Sequence, residues 1–209
     1  AFMFFSSGQY NEAADSYTNA FNLRPSTTLL NNIAFSYWRM GSLKDAEQSL
    51  NKMLSIVPDN YKAQQLQANI WLLQGKLKLA INAYEKIVKN LNNGTDLTNL
   101  SLAYGLNRQY EKSLEFAKKA LMKNPKHSLN LLNVADIEMI LGNKDVAVSY
   151  YKKVVAAWEG EEEVKYLLGL AQAYGQLKQA TLAIDTLKKA QLLVLDSGEV
   201  SYSSAIVYS

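Results

Sequence analysis

The chain has 209 residues, 48% hydrophobic and 20% charged, with a formal net charge of +3. That is the composition of an ordinary folded protein, long enough to bury a sizeable core. No run of about eighteen apolar residues exists to form a transmembrane helix, and the absence of cysteine removes disulfides, thiol nucleophiles and thiolate metal sites together.

Taken in order, the opening AFMFFSSGQY carries no basic secretory start and reads as the end of a helix that Gly8 stops. The expectation is a fragment of a longer protein, its first helix cut short. A second helix is predicted near 10–23. The stretch from Leu30 to Pro58 then shows two complete patterns. Leu30, Ile33, Ala34 and Tyr37 recur at i, i+3, i+4 and i+7, one face of a helix. Gly41 ends it, since glycine takes φ > 0 at a C-terminal cap without steric cost. Ala46, Leu50, Met53, Leu54 and Val57 mark a following helix, which Pro58 closes. The same alternation predicts first helices near 61–74, 95–107, 128–141 and 163–177, as well as 27–40. Second helices are predicted near 44–56, 78–91, 111–123, 145–158 and 181–194. Asn92-Asn93-Gly94 is a turn signal. The glutamates at 161–163 suit the positive end of the following helix dipole.

Three columns of residues share one period. A small residue recurs as Ala13, Ala46, Ala80, Ser113, Ala147 and Ala183, in steps of 33, 34, 33, 34 and 36. Ala20, Met53, Ile87, Ala120, Val154 and Ala190 follow in register. So do Phe4, Tyr37, Trp71, Tyr104, Glu138 and Tyr174. A period near 34 with two helices per unit is the spacing of tetratricopeptide repeats. The turn motif Gly8-x-Tyr10-x-Glu12-Ala13, its weaker copies such as Gly41-x-Leu43-x-Asp45-Ala46, and the closing Pro25, Pro58 and Pro125 resemble that family over nearly the whole length. The resemblance implies an all-α fold, a right-handed helical solenoid of about six repeats. The expected organisation is one domain over 1–209. It has a partial repeat at 1–26, repeats at 27–60, 61–93, 94–127, 128–162 and 163–196, and a capping or truncated helix at 197–209.

Catalytic constellations are missing from the sequence. One histidine, His127, follows Pro125-Lys126 in a predicted loop, and without cysteine or further histidine no metal site or nucleophilic triad assembles around it. The glycines form no phosphate-binding loop. An enzyme and a bound cofactor are therefore not expected. Glu138 is out of place in a column of aromatics, and burial of an unpaired carboxylate is costly. The simpler reading turns its helix slightly so that Ile137 or Leu141 takes the buried place; the functional reading makes Glu138 a binding residue. Charge is uneven: residues 62–126 carry +7 between flanks at −1 and −3. Lys112, Lys118, Lys119, Lys123 and Lys126 read as a solvated outer face, or as a surface for an acidic partner or headgroups.

The resemblance implies that first helices line a concave face that binds proteins. The matching positions are Asn31, Phe35, Trp38 and Arg39, then Gln65, Asn69, Leu72 and Leu73. They continue as Thr98, Leu102 and Leu106, then Leu132, Asp136, Met139 and Ile140, then Leu168, Gln172 and Gln176. Asn31, Phe35, Trp38, Arg39, Gln65, Asn69, Leu72, Leu73 and Met139 are the candidate peptide-binding groove. The family's carboxylate clamp for chaperone tails is not met, because Leu66 and Phe35 stand where it needs polar or basic groups. The expected function is a scaffold for a protein or peptide segment, a module of a larger bacterial regulatory or assembly protein, soluble in cytoplasm or periplasm. RNA binding by a related two-helix repeat is the alternative; the modest charge and acidic last third oppose it, and no nucleic acid is expected. Weak homo-oligomerisation through the solenoid ends is the third reading.

Overall fold

The structure, a computed structural model, describes residues 2–91, 93–157 and 164–197. Among the described residues there are twelve α-helices and no strand. The acidic turn at 158–163 and the stretch 198–209, where a cap or a truncated repeat is expected, lie outside them. The chain forms two compact units, Ala1–Leu91 and Asn92–Ser209.

The first unit holds α1 (Phe2–Ser6), α2 (Tyr10–Leu23), α3 (Thr27–Arg39), α4 (Leu43–Ile56), α5 (Tyr61–Leu73) and α6 (Leu77–Leu91). Its helices pack in chain order, each against the next. Leu30, Ala34, Ala46, Leu50, Met53, Ala63, Leu66 and Ile70 form one buried cluster across α3, α4 and α5. Full burial of a side chain such as Leu50 contributes about 1.5–3 kcal/mol. Ala13, Tyr17 and Ile33 make a second cluster, where α2 meets α3.

The second unit repeats the arrangement with α7 (Gly94–Leu106), α8 (Tyr110–Lys123), α9 (Ser128–Ile140), α10 (Lys144–Ala157), α11 (Val164–Gln176) and α12 (Ala180–Ser197). Tyr151, Val154, Ala135, Ala147 and Ala173 sit in its core. Every described helix lies within a few residues of its predicted position, because turn and capping residues recur at matching places along the chain. Ser26, Asn60, Asn93 and His127 cap α3, α5, α7 and α9, each accepting a backbone N–H in the helix it starts. These acceptors satisfy donors that would otherwise be orphaned. His127 thus has a structural role: its Nδ1 accepts from the Asn130 amide at 3.3 Å.

The column of small residues lies where paired helices cross. Ala13, Ala46, Ala80 and Ala147 are fully buried, and Ser113 is 1% exposed. In the α7–α8 pair both alanines of the crossing are serines. Ser113 Oγ donates to the Ser101 carbonyl at 2.7 Å and Ser101 Oγ donates to the Ser113 carbonyl at 2.8 Å. Two small hydroxyls fit a crossing built for methyls because each finds a carbonyl. The turn between paired helices needs φ > 0. Gly8, Gly41, Gly75 and Gly142 supply it, whereas Arg108 and Lys178 adopt it as non-glycines.

One expectation needs correcting. Helix α9 does not turn to expose Glu138: Ile137 and Glu138 are both buried, at 4% and 3% exposure, while Leu141 is half-buried.

Candidate functional site

Two positions flank the aromatic column on every first helix, one two residues before it and one two residues after. The earlier position is Phe35, Asn69, Leu102, Asp136 and Gln172; the later is Arg39, Leu73, Leu106, Ile140 and Gln176. Each pair is one helical turn apart, so both members share a face. These two rows carry most of the exposed chemistry of the first helices.

In the first unit, Phe35 and Trp38 are half-buried and packed together, with ring centroids 5.1 Å apart. Phe5 of α1 lies 5.5 Å from Phe35 and 5.2 Å from Tyr10. This aromatic cluster joins α1, α2 and α3 and is continuous with the core. Arg39 is exposed, its guanidinium 4.8 Å above the Tyr10 ring. Asn31, Gln65 and Leu73 are half-buried, and Leu72 is buried. Asn69 accepts the Tyr84 hydroxyl through Oδ1. Behind this face Glu47 of α4 gathers three donors from α5 and its turn: Trp71 Nε1 at 2.8 Å, Gln74 Nε2 at 3.2 Å and Lys76 Nζ at 2.9 Å. Burial raises its carboxyl, but Lys76, Trp71 and Gln74 outweigh that and hold it below the ordinary value.

In the second unit the same rows are more open. Leu102 and Leu106 of α7 and Ile140 of α9 are exposed, at 36%, 42% and 57%; Met139 is half-buried. Asp136 stands one turn before Ile140. Its Oδ1 accepts the Tyr151 hydroxyl at 2.6 Å and Gln172 Nε2 at 2.7 Å. Burial pushes its carboxyl above the ordinary value against the pull of those donors. Thr98 and Asn133 tie α7 to α9 through Asn130 and Ser101, at 2.8 and 3.0 Å. The first helices of this unit are therefore joined to one another by side-chain hydrogen bonds.

Two further charged features are paired within the chain. Glu138 accepts from Lys118 Nζ at 2.8 Å and from Asn143 Nδ2 at 2.7 Å. Burial raises its carboxyl, and Lys118 and Asn143 more than reverse the effect. Of the lysines on α8, Lys118 is committed to Glu138, Lys119 pairs with Glu115 at 2.6 Å, and Lys112 lies 5.1 Å from the Tyr104 ring centroid. The sequence missed the Glu47 bracket. Its only signal was a glutamate beside the crossing alanine Ala46, and no periodicity shows that Trp71 would point at it.

A family model for the tetratricopeptide repeat matches residues 31–94 and 132–199, more than half of the chain. The chain belongs to the tetratricopeptide-repeat family. It is 26% identical over 203 residues to the BBSome complex member BBS4 of Bos taurus, covering 96% of this chain and 38% of that protein. The chain thus spans well under half the length of this curated relative. A tetratricopeptide-repeat protein from Parabacteroides merdae superimposes with a TM-score of 0.74 at 21% identity, covering 91% of this chain and 76% of that one. MamA from Desulfovibrio magneticus gives 0.71 at 19% identity, covering 74% and 89%. These likenesses show the fold. Tetratricopeptide repeats are in general non-catalytic scaffolds for protein partners, and among the described residues no group of three potential ligands is placed to hold a metal ion. No described helix is long and apolar enough to cross a membrane.

Proposed function

We propose that this chain is a non-enzymatic interaction module that binds an extended or helical segment of another protein along the exposed face of its first helices. The observation that supports the reading is the row of Leu102, Leu106 and Ile140, large aliphatic side chains left in solvent on neighbouring helices that are otherwise joined and buried. Scattered apolar residues on a surface are ordinary, but large aliphatic side chains exposed at matching positions of neighbouring helices suit partner binding. In the first unit Arg39 and Leu73 occupy the corresponding row, beside Asn31, Phe35, Trp38, Gln65, Asn69 and Leu72; Met139 belongs to the second. The module would serve a larger regulatory or assembly protein, bacterial in our reading. The named relative is itself a member of a complex, and the chain matches only part of its length. Nucleic acid is a poor fit, because Lys118 and Lys119 are already paired with carboxylates.

The test is a comparison of partners captured from native lysate by the wild-type chain and by two variants, Arg39→Ala and Leu106→Ser with Ile140→Ser. Trp38 is left intact, since its truncation would disturb the core it packs against. Loss of an anchor is expected to cost about 2 kcal/mol of binding. Retention of every partner by both variants, with unchanged helicity, defeats the reading.

A further inference from the structure

We infer that the first-helix face of the second unit recognises a lysine or arginine with an apolar side chain beside it, with Asp136 as the group that receives the cation. The inference rests on the proposed binding face and names the chemistry of its partner. Asp136 is half-buried, and both of its hydrogen bonds end on Oδ1, from Tyr151 and Gln172. Its Oδ2 has no donor among the described residues, and none of their ion pairs includes Asp136. The other buried or half-buried acids with bonded cations, Glu47 and Glu138, each have a lysine within 3 Å. Asp136 alone of these three is held in place by neutral groups only. Tyr151 fixes it from α10 and Gln172 from α11, so the carboxylate is oriented before anything binds. A negative charge set in partly desolvated surroundings attracts a cation more strongly than one in open water.

The neighbours define the rest of the ligand. On the neighbouring first helix α7, Leu102 holds the repeat position that Asp136 holds on α9, and Leu106 matches Ile140, one turn further on. A segment lying here meets the aliphatic side chains of α7 and Ile140 beside one fixed carboxylate, with the Gln172 and Gln176 amides at the matching positions of α11. An acidic segment would meet repulsion, and a wholly apolar one would leave the carboxylate desolvated without a partner. The first unit provides the neutral counterpart: Asn69 holds the same position and accepts from Tyr84 as Asp136 accepts from Tyr151. An amide therefore fits this place, and Asp136→Asn removes the charge while keeping the hydrogen bond to tyrosine.

The experiment pans a random peptide library displayed on phage against the whole chain, then measures enriched peptides by fluorescence anisotropy. The expected motif is a basic residue with an apolar one beside it. Replacing its arginine by citrulline, or its lysine by acetyl-lysine, should weaken binding about tenfold or more. Asp136→Asn should weaken the basic peptide to the same extent and abolish the discrimination between it and its neutral analogue. The peptide exchange on the wild-type chain stands as a test even if the variant folds poorly. Enriched peptides that lack a basic residue yet lose binding with Leu106→Ser and Ile140→Ser overturn this inference and leave the binding face intact. Equal affinity for citrulline and arginine overturns it as well. Self-association that Asp136→Asn abolishes makes a second copy the occupant and overturns it too. A library that yields no binder counts against both readings.

Discussion

Glu138 occupies an aromatic position and is nevertheless buried, because Lys118 reaches across from the preceding helix and Asn143 from the following turn. Removing its charge leaves Lys118, which is half-exposed, able to return to water. Glu138→Gln is therefore expected to cost about 1.5–3 kcal/mol, the range for a hydrogen bond to a charged group, as read by chemical denaturation. The carboxyls of Glu47 and Glu138 are both held below their ordinary 4.5. Each contributes stability that is present above that value and lost as pH falls through the lower folded pKa. Glu138→Gln should flatten this acid limb. Asp136 has the opposite sign: its carboxyl is raised above 3.8, so its folded-state cost is absent in acid and appears as pH rises through the folded pKa. Asp136→Asn is expected to match or exceed the wild type in stability near neutrality, with the difference fading in acid. A variant less stable than wild type at neutral pH and equal in acid contradicts the assignment. Arg108 adopts φ 58 where other turns place glycine. Arg108→Gly should raise stability by up to about 1 kcal/mol, the left-handed strain relieved less the entropy glycine adds to the unfolded chain.

At the scale of elements, the helix pairs are set by what crosses inside them. Ala80 has no exposed surface and stands at the crossing of α5 and α6. Ala80→Leu is expected to cost about 1–3 kcal/mol through overpacking, and an unchanged thermal midpoint would place the crossing elsewhere. The serine pair of α7 and α8 makes a different demand. Ser101→Ala removes the donor to the Ser113 carbonyl and the acceptor of Asn133, so about 1–2 kcal/mol is expected from denaturation of that variant. The period and the turn residues made these helices legible from sequence alone. Glycines, prolines and apolar spacing act through local geometry, which depends on the chain within a few residues. The Glu47 bracket was not legible in that way. It joins side chains more than twenty positions apart, and only packed helices bring them together.

On the scale of the whole molecule, function in this family lies in what a surface leaves uncovered. Met3 and Phe4 on α1, and Leu182, Ile184, Leu187 and Leu192 on α12, are exposed. Weak self-association through these faces is proposed, and sedimentation velocity over a range of concentrations is expected to show it. Ile184→Lys with Leu187→Lys should shift the chain toward monomer if α12 takes part.

The sequence by itself determined that the chain is helical, where each described helix lies to within a few residues, and that it belongs among tetratricopeptide repeats. Periodicity, capping and close-crossing alanines are all local or repeating properties, so they can be read in one dimension. It also marked Phe35, Trp38 and Arg39 as neighbours on one helix. Only the tertiary structure decided that Phe5 packs against Phe35, that Leu72 is buried while Leu106 and Ile140 are open, and that Glu138 is paired with a lysine while Asp136 has no cation among the described residues. Those outcomes depend on which side chain of another helix arrives within 3 Å or 4 Å. Charge and exposure at a site are properties of the packed neighbours, and no spacing along the chain encodes them.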